Sequence, residues 1–201
     1  MTKEAYMKFF TSDIHLGSAT SVRCDGRPFK NDKQFEKFII KTWNKQAKKG
    51  DTIYVIGDMF DCHSKDNPIF LKKMPLIKKF KANIVLIMGN NEERIIKYFY
   101  NNSFEDFKKV CLQFGIVDFV KDAYINICGQ EFYLTHKPID YHKEKLTLFG
   151  HSHRAMGVYK SFGFHIGCDL NHFRLFSEND IEDFLIAKKE YWEWDENLKL
   201  I

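Results

Sequence analysis

The chain is poor in the features that usually announce a small extracellular or membrane protein. Its five cysteines, Cys24, Cys62, Cys111, Cys128 and Cys168, are odd in number and none sit two residues apart. That count and spacing argue against a disulfide framework and a thiolate zinc site. Proline (4) and glycine (11) are sparse and scattered over 201 residues. With no repeat, no low-complexity tract and no Pro/Gly/Ser linker, the reading is one continuous domain over residues 1–201. No apolar run is long enough to span a bilayer, and "MTKEAYMKFFTSD" has no apolar stretch behind a basic start. The expectation is a soluble, reduced, cytoplasmic protein with no membrane partner. An excess of basic residues is nearly absent too: 31 Lys and Arg against 27 Asp and Glu give +4. This falls short of a nucleic-acid-binding arm, yet does not oppose an anionic substrate.

What is abundant is phenylalanine, 20 residues in a chain that is 44% hydrophobic, enough for a sizeable aromatic core. The pattern alternates strands and helices. Residues 7–14 and the continuous apolar runs 52–58 and 82–90 read as strands, the latter two buried on both faces. Residues 33–48 place Phe35, Phe38, Ile39, Trp43 and Ala47 at helical spacing behind a cap at Asn31 or Asp32. A helix starting at Asn67–Pro68 is limited by Pro75, and helices follow at "EERIIKYFY" and "SFEDFKKVCLQFG", the second capped by Ser103 with Asp106 and stopped at Gly115. The second half is rich in strands: 124–136 as a pair joined at Gly129–Gln130, then "LTLFGHSH" and "AMGVYKSFGFHIGCD", mostly antiparallel, before a final helix from Ser177. The fold class is therefore α/β, two packed sheets flanked by helices.

Polar residues of one chemical kind stand where the apolar runs stop. The runs end in "DIH" (Asp13, His15), "GDMFD" (Asp58, Asp61), "GNN" (Asn90, Asn91), "LTH" (His136) and "GHSH" (His151, His153). Ligands collect outside the carboxyl ends of strands in α/β sheets. Gathered at one edge, Asp13, His15, Asp58, Asn90, His136, His151 and His153 offer imidazole and carboxylate donors suited to borderline divalent ions: Mn, Fe, Zn, Co or Ni. Seven donors exceed one tetrahedral site and suit two ions sharing a carboxylate. The other histidines, His63, His142, His165 and His172, lack such placement and read as ordinary.

In this order the motifs resemble the calcineurin-like metallophosphoesterase family, whose pattern is DxH, GDxxD, GNH followed by an acid, a lone His, and GHxH. The similarity spans residues 9 to 184. "RPF" at Arg27–Phe29, "WN", "THKP" and "GCDLNHFRLFSENDIEDF" further resemble small bacterial and phage members. The resemblance implies two mixed β-sheets in an αββα sandwich and a dinuclear-metal-dependent phosphoesterase, manganese first among the candidate ions. It implies that Asp13, His15, Asp58 and His153 hold one ion and Asp58, Asn90, His136 and His151 the other. Asp58 would bridge, and a bridging hydroxide would attack phosphorus in line. Asp61 would orient a ligand. The family's His after GN is replaced here by Asn91, which can donate a hydrogen bond to substrate but cannot serve as a general acid. That departure favours a phosphodiester substrate and makes His63 a candidate proton source. Arg27 is a candidate phosphate contact. The alternatives are a nuclease or nucleotide phosphodiesterase, and a non-catalytic scaffold of the same fold. Physiological substrate and oligomeric state stay open. Specificity is expected in loops 18–31, 62–75 and 137–145, and Trp192 and Trp194 are expected to cover the core, with a dimer contact as the alternative.

Overall fold

A computed structural model describes residues 6–140, 145–153, 158–159 and 163–189. His142, Trp192 and Trp194 lie outside the described residues. The chain runs β1 (Lys8–Thr11), α1 (Ala19–Cys24), α2 (Asp32–Gln46), β2 (Thr52–Ile56), α3 (Ile69–Lys73), β3 (Asn83–Ile87), α4 (Asn90–Phe99), α5 (Phe104–Gln113), β4 (Ile116–Val120), β5 (Ala123–Ile127), β6 (Gln130–Leu134), β7 (Leu146–Phe149), β8 (Val158–Tyr159), β9 (Gly163–His165), β10 (Phe176–Ser177) and α6 (Glu178–Ala187). Two five-stranded sheets result, ordered β10-β1-β2-β3-β4 and β5-β6-β7-β9-β8. In the first, β1 to β4 are parallel and β10 adds antiparallel to β1. The two mixed sheets flanked by helices agree with the α/β expectation.

Helix boundaries follow the capping chemistry. Asn31 caps α2 by accepting from the Gln34 N–H, and Ser103 caps α5 by accepting from Asp106. Ser177 and Asp180 close a reciprocal capping box on α6. Three expectations need correction. The second sheet is not mostly antiparallel, because β6–β7 and β7–β9 pair in parallel through crossovers. The β5–β6 turn is Cys128–Gly129, both at positive φ, one residue earlier than expected. And α4 begins at Asn90 rather than Glu92.

Alternation along the first sheet divides the core in two. Phe9, Ile53, Val55, Ile84 and Leu86 face the helices, where Phe35, Ile39 and Trp43 of α2 and Phe107 and Cys111 of α5 meet them. Phe10, Ile56 and Ile87 face the other way and interlock with Phe132, Leu134, Leu148 and Phe164 of the second sheet. Each such fully buried side chain contributes about 1.5–3 kcal/mol. The two layers meet at one edge: Ser12, just past β1, bridges Gly167, just past β9, and the Cys168 N–H donates to the Ser12 carbonyl at 3.0 Å. The carboxyl ends of β1, β2, β6 and β7 open onto that seam.

Candidate metal centre

The seam is built from tight turns. Asp13 (φ 58°), His15 (52°), Asp58 (52°), His151 (74°) and His153 (47°) all adopt left-handed backbone. Such a conformation is uncommon outside glycine and costs on the order of 1–3 kcal/mol per residue. Five strained positions in one cluster mark a place where side-chain direction outweighs backbone ease. Two glycines at the seam follow from close approach. A Cβ on Gly150 would strike Ser12 Oγ and the Asp13 carboxylate, and one on Gly89 would strike the Asp58 backbone N and Oδ1.

The two aspartates lie at the centre. Asp13 Oδ1 is 4.0 Å from His15 Nε2, 3.9 Å from His136 Nε2 and 4.0 Å from His153 Nε2. Its Oδ2 is anchored by the Ser12 hydroxyl at 2.5 Å and the His151 N–H at 2.9 Å. Asp58 divides its oxygens: Oδ2 is 3.6 Å from His15 Nε2 and Oδ1 is 3.5 Å from His136 Nε2. Among the described residues two donor groups emerge, Asp13–His15–His153 and Asp13–Asp58–His136, each with ligand atoms within 4.8 Å of one another. Asn90 joins the second side, its Oδ1 lying 3.0 Å from His136 Nε2 and 2.8 Å from His151 Nδ1. The site thus brings all seven strand-end residues together.

The donor set fits divalent cations on two further counts. His15 Nε2 is buried, makes no hydrogen bond, and faces both carboxylates. Burial outweighs those charges and lowers its pKa to about 4, so the ring is a neutral donor. His136 donates Nδ1–H to the Ile56 carbonyl at 2.9 Å, which fixes the ring and turns Nε2 inward. Its burial opposes charge, but the Asp58 hydrogen bond and the Asp13 and Asp58 charges prevail and raise its pKa to about 9. Asp13 is itself fully buried, yet the surrounding imidazoles, His165 first, hold it well below the usual carboxylate range.

The supporting shell contains residues the sequence did not single out. Glu92, wholly buried, accepts backbone N–H bonds from Asp58, Met59, Phe60 and Gly89 at 2.8–3.4 Å, clamping the loop after β2. Its burial and the nearby Asp58 charge push its carboxyl up to about 7. His165, read as ordinary, is buried against Phe149 with Nε2 3.9 Å from Asp13 Oδ2. The signal available was its place at the end of a short strand. Asp61 Oδ1 lies 4.0 Å from His15 Nδ1 and 3.0 Å from Nε2 of His63, whose side chain is 57% exposed at the rim. Beside His136 a cavity of about 240 Å³ is lined by Lys121, Tyr133, Thr135, Lys137, Glu93 and Asp122, among others.

Two expectations are corrected. Asn91 does not face substrate: it is 1% exposed, with Nδ2 donating to Asp58 Oδ2 at 2.6 Å and its backbone N–H to Asp58 Oδ1 at 2.8 Å. Its side chain aims Asp58. Arg27 does not meet a phosphate either. Its guanidinium is buried, bidentate on Asp169, and donates to the Asp13 and Ile14 carbonyls.

A family model described as calcineurin-like phosphoesterase matches residues 9–185. The uncharacterized protein MJ1445 of Methanocaldococcus jannaschii is 30% identical over 95 residues, covering 45% of this chain and 52% of that one. The chain thus spans about half the length of this curated relative. Among solved structures, AQ665 of Aquifex aeolicus, a protein of unknown function, superposes with a TM-score of 0.65 at 19% identity, over 90% of this chain and 100% of that one. The nuclease MPE of Pseudomonas putida gives a TM-score of 0.46 at 18% identity, over 73% and 61%.

Proposed function

We propose that this chain, which belongs to the calcineurin-like phosphoesterase family, is a dinuclear-metal-dependent phosphodiesterase. The observation that carries the reading is Asp58, whose two oxygens point separately at His15 and His136. In this reading Asp13, His15, Asp58 and His153 hold one cation and Asp58, Asn90, His136 and His151 the other. Two divalent ions held there, manganese being our first candidate, would supply Lewis acidity toward water and a phosphoryl group.

The chain's own residues then have separate tasks. Asn91 and Glu92 fix Asp58 and its loop, and Asp61 steadies His15. The diester preference rests on the chemistry of position 91: an amide cannot protonate a leaving group, and here it is buried against Asp58. Esters whose leaving groups need a proton would depend on another donor, and His63, on Asp61 at the rim, is the group proposed for that part. The cavity beside His136 would take the second ester substituent, with Lys121 and Lys137 at its wall. No helix among the described residues is long and apolar enough to cross a membrane, and the cysteine pattern favours the cytoplasm.

Hydrolysis of bis-4-nitrophenyl phosphate with added Mn tests the activity. The expected result is turnover that vanishes with chelator. No turnover with Mn, Co, Ni or Zn would overturn it. A nuclease reading of the same centre is separated by salt-dependent binding to a single-stranded oligonucleotide.

A further inference from the structure

We propose that Arg27 and Asp169 form a buried positioning pair that aims His153 and shapes the Asp13–His15 turn. The inference rests on the metal-centre reading above and concerns residues that touch neither substrate nor reacting atoms.

Three observations carry it. First, the Arg27 guanidinium is fully enclosed, with Nε and Nη2 each 2.9 Å from one oxygen of Asp169 and its Cζ over the Phe35 ring, 4.7 Å from the centroid. A planar fork held on both carboxylate oxygens and stacked on an aromatic ring has one orientation, which a lysine would not reproduce. Second, the same guanidinium donates to the Asp13 carbonyl at 2.7 Å and the Ile14 carbonyl at 2.8 Å. These carbonyls belong to the left-handed turn that presents Asp13 and His15, so one side chain satisfies the turn and fixes Asp169 together. Third, Asp169 Oδ2 lies 3.8 Å from His153 Nδ1, a buried nitrogen that makes no hydrogen bond, while His153 Nε2 faces Asp13 Oδ1 at 4.0 Å. The His153 ring is sandwiched against His15, centroids 4.9 Å apart, so a closure of roughly 1 Å brings Nδ1 to hydrogen-bonding distance. A carboxylate accepting from one ring nitrogen puts the lone pair on the other and stiffens the ring.

Asp25 competes for the role, since its Oδ2 is 3.5 Å from the same Nδ1. The two differ in fixation. Asp25 stands at the rim, its side chain 24% exposed, whereas Asp169 is 5% exposed and gripped by Arg27.

Calorimetric and visible-absorption titration of the metal-free protein with cobalt alone tests the pair. The wild type is expected to bind two ions. Asp169→Asn should weaken one binding step by about 10–100-fold, the cost usual for an outer-shell partner, shift the Co absorption band of that step, and leave the other step unchanged. Arg27→Lys should do the same, and serves if Asp169→Asn does not fold. Asp25→Asn should alter neither step by more than about threefold. In a His153→Ala background, Asp169→Asn should add less than about twofold, since contacting residues are not additive. Cobalt binding unchanged in both Asp169→Asn and Arg27→Lys overturns the inference, as does simple addition of the Asp169 and His153 effects. A wild-type protein that takes up no cobalt would instead sink the metal-centre reading on which the pair depends.

Discussion

The two sheets supply unlike halves of one site. The first sheet gives Asp13, His15 and Asp58, all at most 7% exposed, and locks them with Asn91, Glu92 and Arg27. The second gives His136, His151 and His153, of which His151 is exposed and His153 half-buried. One half is preorganised under the helices; the other closes over it from loops. The difference teaches that rigidity and access are divided between layers. Asp13, His15, Asp58 and, from the second sheet, His136 are held in a buried frame, whereas His151 and His153 at the rim keep a path to solvent by which a cation could enter.

Asp58 belongs to the buried half but faces both, so removing its charge should break the comparison altogether. Asp58→Asn is expected to lower Mn-dependent turnover on the order of 10³-fold, about 4 kcal/mol of barrier, and to reduce bound metal from two ions to one or none by elemental analysis. Full turnover in this variant would mean that the layers do not share an ion.

Glu92→Ala should loosen only the buried half. Four backbone N–H groups would lose their acceptor in a dry interior, at about 1–3 kcal/mol for each group left unsatisfied, less where water enters. A loss of about 3–5 kcal/mol in denaturant unfolding is expected, with Glu92→Gln costing less because an amide oxygen still accepts. If Glu92→Ala unfolds like the wild type, the clamp is not what holds the loop after β2.

How much of this was legible in sequence follows the same division. The strand ends were readable because each ligand follows an apolar run. Asn91 and Arg27 were misread for one reason. Both are polar residues beside a motif, and composition cannot say whether a polar group faces substrate or props a neighbour. Burial decides that, and burial depends on long-range packing: Arg27 meets Asp169 across 142 residues. Glu92 was visible only as an acid after "GNN"; its four acceptor contacts arise from the loop that β2 brings across. Strand β10, two residues long, carries too little pattern to detect.

The buried imidazole of the second sheet, His136, should show itself in pH. His136 has its pKa raised to about 9 in the protein alone, so a cation must displace a proton to use Nε2. Apparent Mn affinity at that side should fall about tenfold per pH unit below 9, with roughly one proton released on binding near pH 7.5. The sign for stability is opposite. A raised folded pKa stabilises the metal-free protein fully below the unfolded value of 6.5, and that contribution is lost as pH rises through about 9. Melting of the metal-free protein should therefore decline over 6.5–9, and His136→Gln should remove that slope.

The smallest effect is expected at the rim. His63 is more than half exposed, and its Nε2 pairs with Asp61 Oδ1 at 3.0 Å, so its removal disturbs neither core nor ion cluster directly. If it protonates the leaving group, the loss depends on how much the leaving group needs a proton. His63→Ala should then cost little with 4-nitrophenolate, a stable anion, and about 10–100-fold with an alkyl leaving group, at the low end of what a general acid contributes. Equal losses for both esters would place His63 with Asp61 as a support for His15, and would return the rim of the site to the rigid half of the molecule.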